Sequence, residues 1–307
     1  MARRFATIGS IGAALAILLT GPAHAQGGVE EKVPVVATFS ILGDLVKNVG
    51  GDRIALATLV GPDGDAHVYS PSPADAKKLA QAKTVFINGL GFEGWITRLV
   101  KASGTKATIV VASRGVTPRQ MADDHGDKHD HGKSDPHAWQ SVANVKTYVA
   151  NIRDGLTAAD PAGKAAYEAG AADYLQKLDA LEREVRDIVA KIPADRRKII
   201  TTHDAFGYFG QAYGIDFVAP QGVSTESEVS AKDLAKIITQ IRRQKIPAVF
   251  LENVTDPRLV KRIADETGAK IGGTLFSDAL TGEAGDAPSY IDMMRHNLRI
   301  LSAALMS

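Results

Sequence analysis

Residues 160–193, DPAGKAAYEAGAADYLQKLDALEREVRDIVAKIP, read as one uninterrupted helix. Asp160-Pro161 is a start signal and Pro193 a stop. Between them Tyr167, Ala171, Tyr174, Leu178, Leu181, Val185, Ile188 and Ile192 recur at alternating spacings of four and three. That is a single apolar stripe on one helix face. About 30 residues at 1.5 Å rise give a rod of roughly 45 Å. Such a stripe would also serve as a coiled-coil dimer seam. Its position between two α/β halves favours a strut that ties two lobes together.

Outward from the strut, strands and helices alternate. Before it, Val35–Ser40, Arg53–Val60, Thr84–Asn88 and Ala107–Ala112 read as strands, with helices at Leu42–Val49, from Pro73 to about Ala82, and at Phe92–Ser103. Ser72-Pro73 has the form of an N-cap followed by proline in the first helical position. After the strut, strands are expected at Lys198–Thr202, Asp216–Ala219, Ala248–Glu252 and Lys270–Thr274. Alternation of this kind implies parallel strands flanked by helices. The expected fold is therefore α/β with two lobes, each a mostly parallel sheet flanked by helices, joined by one long backbone helix. The expected boundaries are a signal peptide at 1–25, an N-terminal lobe at 26–158, the linking helix at 159–193 and a C-terminal lobe at 194–307. A last amphipathic helix carries Ile291, Met294, Leu298, Leu301 and Leu305; His296 lies off that stripe and reads as solvated.

The first 25 residues have the form of an export signal: Arg3 and Arg4, the short apolar run Ile8–Leu19, then Ala23-His24-Ala25. Cleavage is expected after Ala25. The apolar run is too short to span a bilayer. The 307 residues are 45% hydrophobic and 23% charged, with a formal net charge of +1 and no cysteine. This composition can fill real cores and gives no electrostatic reason to bind nucleic acid. Without cysteine there is no disulfide and no thiol for a lipid anchor, so a free periplasmic protein, not a lipoprotein, is expected.

Four residues stand out as a metal site: His67, His137, His203 and Asp278. Ligands in open parallel sheets bind at the carboxyl ends of strands. His67, His203 and Asp278 each follow a predicted strand. His137 lies in Asp135-Pro136-His137-Ala138-Trp139, where proline fixes the backbone and Trp139 can anchor the loop. Three imidazoles and one carboxylate form a nitrogen-rich set of the kind zinc favours.

These motifs resemble a known family, the zinc- or manganese-binding solute receptors of ABC importers. The matching runs are Asp65-Ala66-His67-Val68-Tyr69-Ser70-Pro71-Ser72-Pro73-Ala74-Asp75, Asp135-Pro136-His137-Ala138-Trp139, Thr202-His203-Asp204-Ala205-Phe206 and Ser277-Asp278. They span the mature chain in the family's order. The resemblance implies that the four side chains bind the metal between the lobes. It also implies a partner permease with its ATPase, and a periplasmic zinc metallochaperone is a further expected partner. The chain is expected to be a monomer. A glutamate in the third ligand position goes with manganese in that family; here the position is His203, which favours Zn²⁺ over Mn²⁺. The family's Asp-Pro after the Trp-centred motif is replaced here by Ser141-Val142.

Residues 121–135 form a polar loop containing His125, His129 and His131 among Asp123, Asp124, Asp127 and Asp130. It reads either as a secondary metal-capture site or as a solvated loop that binds metal only opportunistically. Glu252 and Asp204 are candidates to orient a ligand imidazole, or are ordinary caps and ion-pair partners. The leading function is a high-affinity periplasmic zinc receptor, not an enzyme. The alternatives are a manganese or iron receptor of the same family, and a zinc metallohydrolase. Four protein ligands argue against the hydrolase, because catalytic zinc keeps an open position.

Overall fold

A strand covered by helices on both faces must be apolar on both, and the first strand of this chain is. The computed structural model describes residues 1–2, 31–120, 134–226 and 229–306. Residues 3–25 of the signal segment and the loop residues His125, His129 and His131 lie outside the described residues. In the first half β1 (Val33–Phe39), α1 (Ser40–Gly50), β2 (Ile54–Val60), α2 (Pro73–Gln81), β3 (Thr84–Ile87), α3 (Ile96–Ser103) and β4 (Thr108–Val111) alternate. Val35, Val36, Ala37, Thr38 and Phe39 of β1 are all buried. The strands pair in the order β2-β1-β3-β4, all parallel.

Two helices follow, α4 (Val142–Ala159) and α5 (Lys164–Lys191). The second half then runs β5 (Lys198–Ile200), α6 (Gly207–Tyr213), β6 (Asp216–Val218), α7 (Ala231–Gln244), β7 (Ala248–Glu252), α8 (Arg258–Thr267), β8 (Lys270–Leu275) and α9 (Tyr290–Met306). Its sheet order, β6-β5-β7-β8, is also all parallel and repeats the winding of the first. In each sheet the chain moves one way for two strands, then returns past the first. That reversal, between β1 and β3 and between β5 and β7, opens a crevice at the strands' carboxyl ends.

The long helix is the strut expected from its sequence. Asp160 stays outside it and is held by Arg53 at 3.0 Å and by the Tyr167 hydroxyl at 2.8 Å. Tyr167, Ala171, Tyr174, Leu178, Leu181 and Val185 are buried as the stripe requires, but the stripe then passes through Val189, with Ile188 only half-buried. Alternating steps of four and three average 3.5 residues, whereas a straight α-helix turns every 3.6, so the buried face drifts by one position near the end. Helix α5 packs against α1 and α4 of the first lobe and α6 and α9 of the second. The apolar stripe is thus covered within the chain, which removes the dimer-seam reading. Gly170 permits the close approach: a Cβ there would lie 2.5 Å from the Val49 carbonyl oxygen at the end of α1.

One core is continuous from β1 through α5 to α9, including Val36, Leu45, Leu178, Leu181, Phe276 and Leu298. A smaller core under α7 and α8 contains Ile200, Ile238, Val249, Val260 and Ile263. His296 corrects the sequence reading. It is 7% exposed, not solvated, with Nε2 3.0 Å from the Thr274 carbonyl oxygen and its ring edge-on to Phe276.

Because both lobes are packed on one face of α5, truncating that face should weaken the whole unit. Leu178→Ala should lower unfolding stability by about 2–5 kcal/mol, with a single denaturant transition for both lobes. A separate early transition of the second lobe would show that the strut does not couple them.

Candidate metal centre

Each of the four residues comes from a different loop, and hydrogen bonds brace these loops. His67 follows β2. Asp65 Oδ1 accepts its backbone N–H at 2.9 Å, an Asx turn. The Trp95 indole N–H donates to the Ala66 carbonyl at 2.8 Å. Two residues on, the Tyr69 hydroxyl donates to Asp75 at 2.7 Å; burial and that carboxylate push the Tyr69 hydroxyl pKa up to about 12. Asp75 and Ser72 close a reciprocal capping box at the start of α2, with Pro73 in the first turn.

His137 repeats the device. Asp135 Oδ1 accepts the His137 backbone N–H at 2.9 Å and faces its Nδ1 at 2.9 Å. A carboxylate only accepts, so Nδ1 donates, which turns Nε2 toward the cleft. Asn88 donates to the Pro136 carbonyl at 2.9 Å and takes the Tyr148 hydroxyl at 2.5 Å. Trp139 is fully buried, and its indole N–H reaches the Ser277 carbonyl of the other lobe at 2.9 Å. The Gln140 amide donates to the same oxygen at 2.8 Å.

In the second lobe, Glu252 at the end of β7 supports His203 just beyond β5. Its Oε1 accepts the backbone N–H groups of Thr202 and His203 at 2.6 and 2.9 Å. Its Oε2 lies 2.5 Å from His203 Nδ1, although not in the geometry of a well-directed hydrogen bond. Asp204 is placed elsewhere, 3.7 Å from the Arg119 guanidinium. Asp278, after β8, is buried, and among the described residues neither of its carboxylate oxygens receives a well-directed hydrogen bond.

These four side chains converge. His67 Nε2 lies 3.2 Å from His137 Nε2 and 3.4 Å from Asp278 Oδ2. His137 Nε2 is 3.4 Å from Asp278 Oδ1, and His203 Nε2 is 3.1 Å from Asp278 Oδ2. All four donor atoms lie within 4.8 Å of one another. Ligands around tetrahedral zinc at about 2.0–2.1 Å sit roughly 3.3 Å apart. Phe92 walls the cluster, its ring edge-on to His67 at 4.7 Å and to Trp139 at 4.8 Å. Burial opposes charge on His203, but the Glu252 and Asp278 carboxylates outweigh it and hold this imidazole protonated well above its ordinary range. Burial also works against the Asp278 carboxylate, which His203 and His137 nevertheless keep ionised well below the usual range.

Asp65, Asp135, Phe92 and Arg119 were not singled out from the sequence. For the two aspartates a signal existed: Asp stands two residues before His in both Asp65-Ala66-His67 and Asp135-Pro136-His137.

The model of a family described as ZnuA, zinc-uptake complex component A, periplasmic, matches residues 35–304. The chain belongs to this family. It is therefore a solute-binding receptor of an ABC metal importer that works outside the cytoplasm, and not an enzyme; a permease and an ATPase are its partners. The chain is 34% identical over 299 residues to the manganese ABC transporter substrate-binding lipoprotein PsaA of Streptococcus anginosus, covering 95% of this chain and 94% of the relative. It is 34% identical over 268 residues to the manganese-binding lipoprotein MntA of Halalkalibacterium halodurans, covering 87% of each. Among solved structures, the periplasmic zinc binding protein TroA from Treponema pallidum is similar with a TM-score of 0.82 and 31% identity, covering 90% of this chain and 99% of that one. A manganese-bound periplasmic metal binding protein from Candidatus Liberibacter asiaticus has a TM-score of 0.80 and 29% identity, covering 90% and 100%.

Glu252 meets the backbone of Thr202 and His203 and lies against the His203 ring. Glu252→Gln should keep the fold but weaken zinc binding about 10–100-fold, as read by competition with a chromophoric chelator. An unchanged affinity would make Glu252 a backbone clamp and nothing more.

Proposed function

We propose that this receptor carries Zn²⁺, bound by His67, His137, His203 and Asp278, and delivers it to its permease. The observation that carries this reading is the buried Asp278 carboxylate, which receives no well-directed hydrogen bond among the described residues and has three imidazole nitrogens 3.1–3.4 Å away. A buried carboxylate without a donor is costly unless a cation meets it. Three nitrogens and one carboxylate suit zinc, whereas manganese favours oxygen-rich sites. Both Asp278 oxygens face the cluster, so one or two can coordinate. The names of the relatives support the second reading, a manganese receptor on the same four residues.

Several relatives are named lipoproteins. The 307 residues here contain no cysteine, and the proposed mature protein is free in the periplasm, beginning at Gln26. His125, His129 and His131, outside the described residues, stand as a proposed capture loop that would receive zinc from a metallochaperone.

The deciding measurement is metal content and competitive affinity of the mature protein beside His203→Glu. One tightly held zinc, preferred over manganese and weakened in the variant, is the expected result. Tight manganese with weak zinc would transfer the assignment to manganese.

Binding should also depend on pH. Imidazole must be neutral to coordinate, and in the metal-free protein His203 holds its proton well above the ordinary imidazole range. Zinc must displace that proton, so affinity should rise with pH through neutrality and keep rising above about 6.5. Calorimetry in buffers of different ionisation enthalpy should detect the released proton. Affinity that is flat with pH, without proton release, would contradict this.

A further inference from the structure

Behind the two histidines that come from opposite lobes lies one guanidinium. Arg119 Nη1 is 2.9 Å from Asp135 Oδ2, while Asp135 Oδ1 is committed to the His137 backbone and ring. The same nitrogen is 3.7 Å from Asp204 Oδ2, one residue beyond His203. The main chain of Arg119 is fixed independently. Its N–H donates to the Tyr208 hydroxyl of α6 at 2.8 Å, and its carbonyl accepts the Asp135 N–H at 2.9 Å. The seat of the guanidinium is equally specific. It lies against Gly207, the first residue of α6, where a Cβ would collide with its Nη1, Cζ and Nε atoms.

We propose that Arg119 is a positioning residue of the metal centre: its guanidinium, seated on Gly207, locks Asp135 against His137 and ties that pair to the second lobe beside His203. This rests on the assignment of His137 as a metal ligand. Asp135 is wholly buried. Without the guanidinium its Oδ2 is a buried acceptor with no charged donor, and nothing holds the carboxylate plane that orients the His137 ring. Outer partners of this kind set ring orientation and ligand basicity. Lysine is a poor replacement here, because a hydrated ammonium on a flexible stem lacks the flat guanidinium that seats on Gly207.

Two variants separate this role from general stability. Arg119→Met removes the charge. Gly207→Ala keeps the charge, but its methyl displaces the guanidinium. Zinc and manganese affinities are measured for wild type, both variants, Arg119→Lys and His137→Ala. The His137 Nδ1–H resonance is recorded on zinc-loaded protein labelled with ¹⁵N-histidine. Both variants should weaken binding, Arg119→Met by about 10–100-fold, and both should shift the Nδ1–H signal toward that of a weaker hydrogen bond. Arg119→Lys should recover only part of the loss, and the far-UV circular dichroism of metal-free Gly207→Ala and Arg119→Met should match that of wild type. Wild-type affinity and an unmoved resonance in Gly207→Ala and Arg119→Met, with His137→Ala still impaired, would overturn the role of Arg119 alone. If His137→Ala binds as wild type does, the ligand assignment fails and this inference fails with it.

Discussion

A buried carboxylate faced by imidazole nitrogens rather than by well-directed hydrogen bonds is the constraint around which this protein is organised. Among the described residues Asp278 receives no such bond, and the ring nitrogens of His67, His137 and His203 lie 3.1–3.4 Å from its oxygens. The His203 imidazole, held protonated by the Glu252 and Asp278 carboxylates, offsets the charge. In the proposed receptor a divalent ion would take over that role. The remaining structure holds these desolvated groups together.

Two kinds of restraint do this. The first is apolar: α5 gives one buried face to both lobes, so the crevice has a fixed back. The second is polar and local. Ser277 accepts from Trp139 and Gln140, joining the His137 loop to the residue before Asp278. Leu280 N–H donates to the Ser40 hydroxyl, the Asp63 N–H donates to the Leu280 carbonyl, and Thr225 donates to Asp65 at 2.6 Å. These bonds cross between lobes around the rim of the site. A hinge that opened widely would leave many of them unmade at once, so small shifts of individual loops cost less than rotation of a whole lobe.

Much of this was legible in the sequence because it rests on local rules. The strut came from a stripe between two prolines, the sheets from alternation, and the four converging residues from their place after strands or in a proline-fixed turn. What escaped depends on tertiary partners. Arg119 has no motif; its role exists only because Gly207, Asp135 and Asp204 are folded around it. His296 looked solvated on a helical wheel, yet the carbonyl of Thr274, next to Gly273 at φ +131°, lies within its reach. Val189 replaced Ile188 because a mean spacing of 3.5 cannot be sustained on a straight helix. Asp204, weighed beside Glu252 as an orienting group, faces an arginine because the chain turns after His203.

The four converging residues sit on four separate loops, and none belongs to a strand, a long helix or either hydrophobic core. The residues that hold the chain folded and those proposed to meet the cargo are therefore different sets. An exchange such as imidazole for carboxylate at position 203 alters donor chemistry without creating a void or overfilling a core. Cargo preference can drift by single substitutions while the scaffold is left alone. Such separability is what lets one architecture serve importers for different metals.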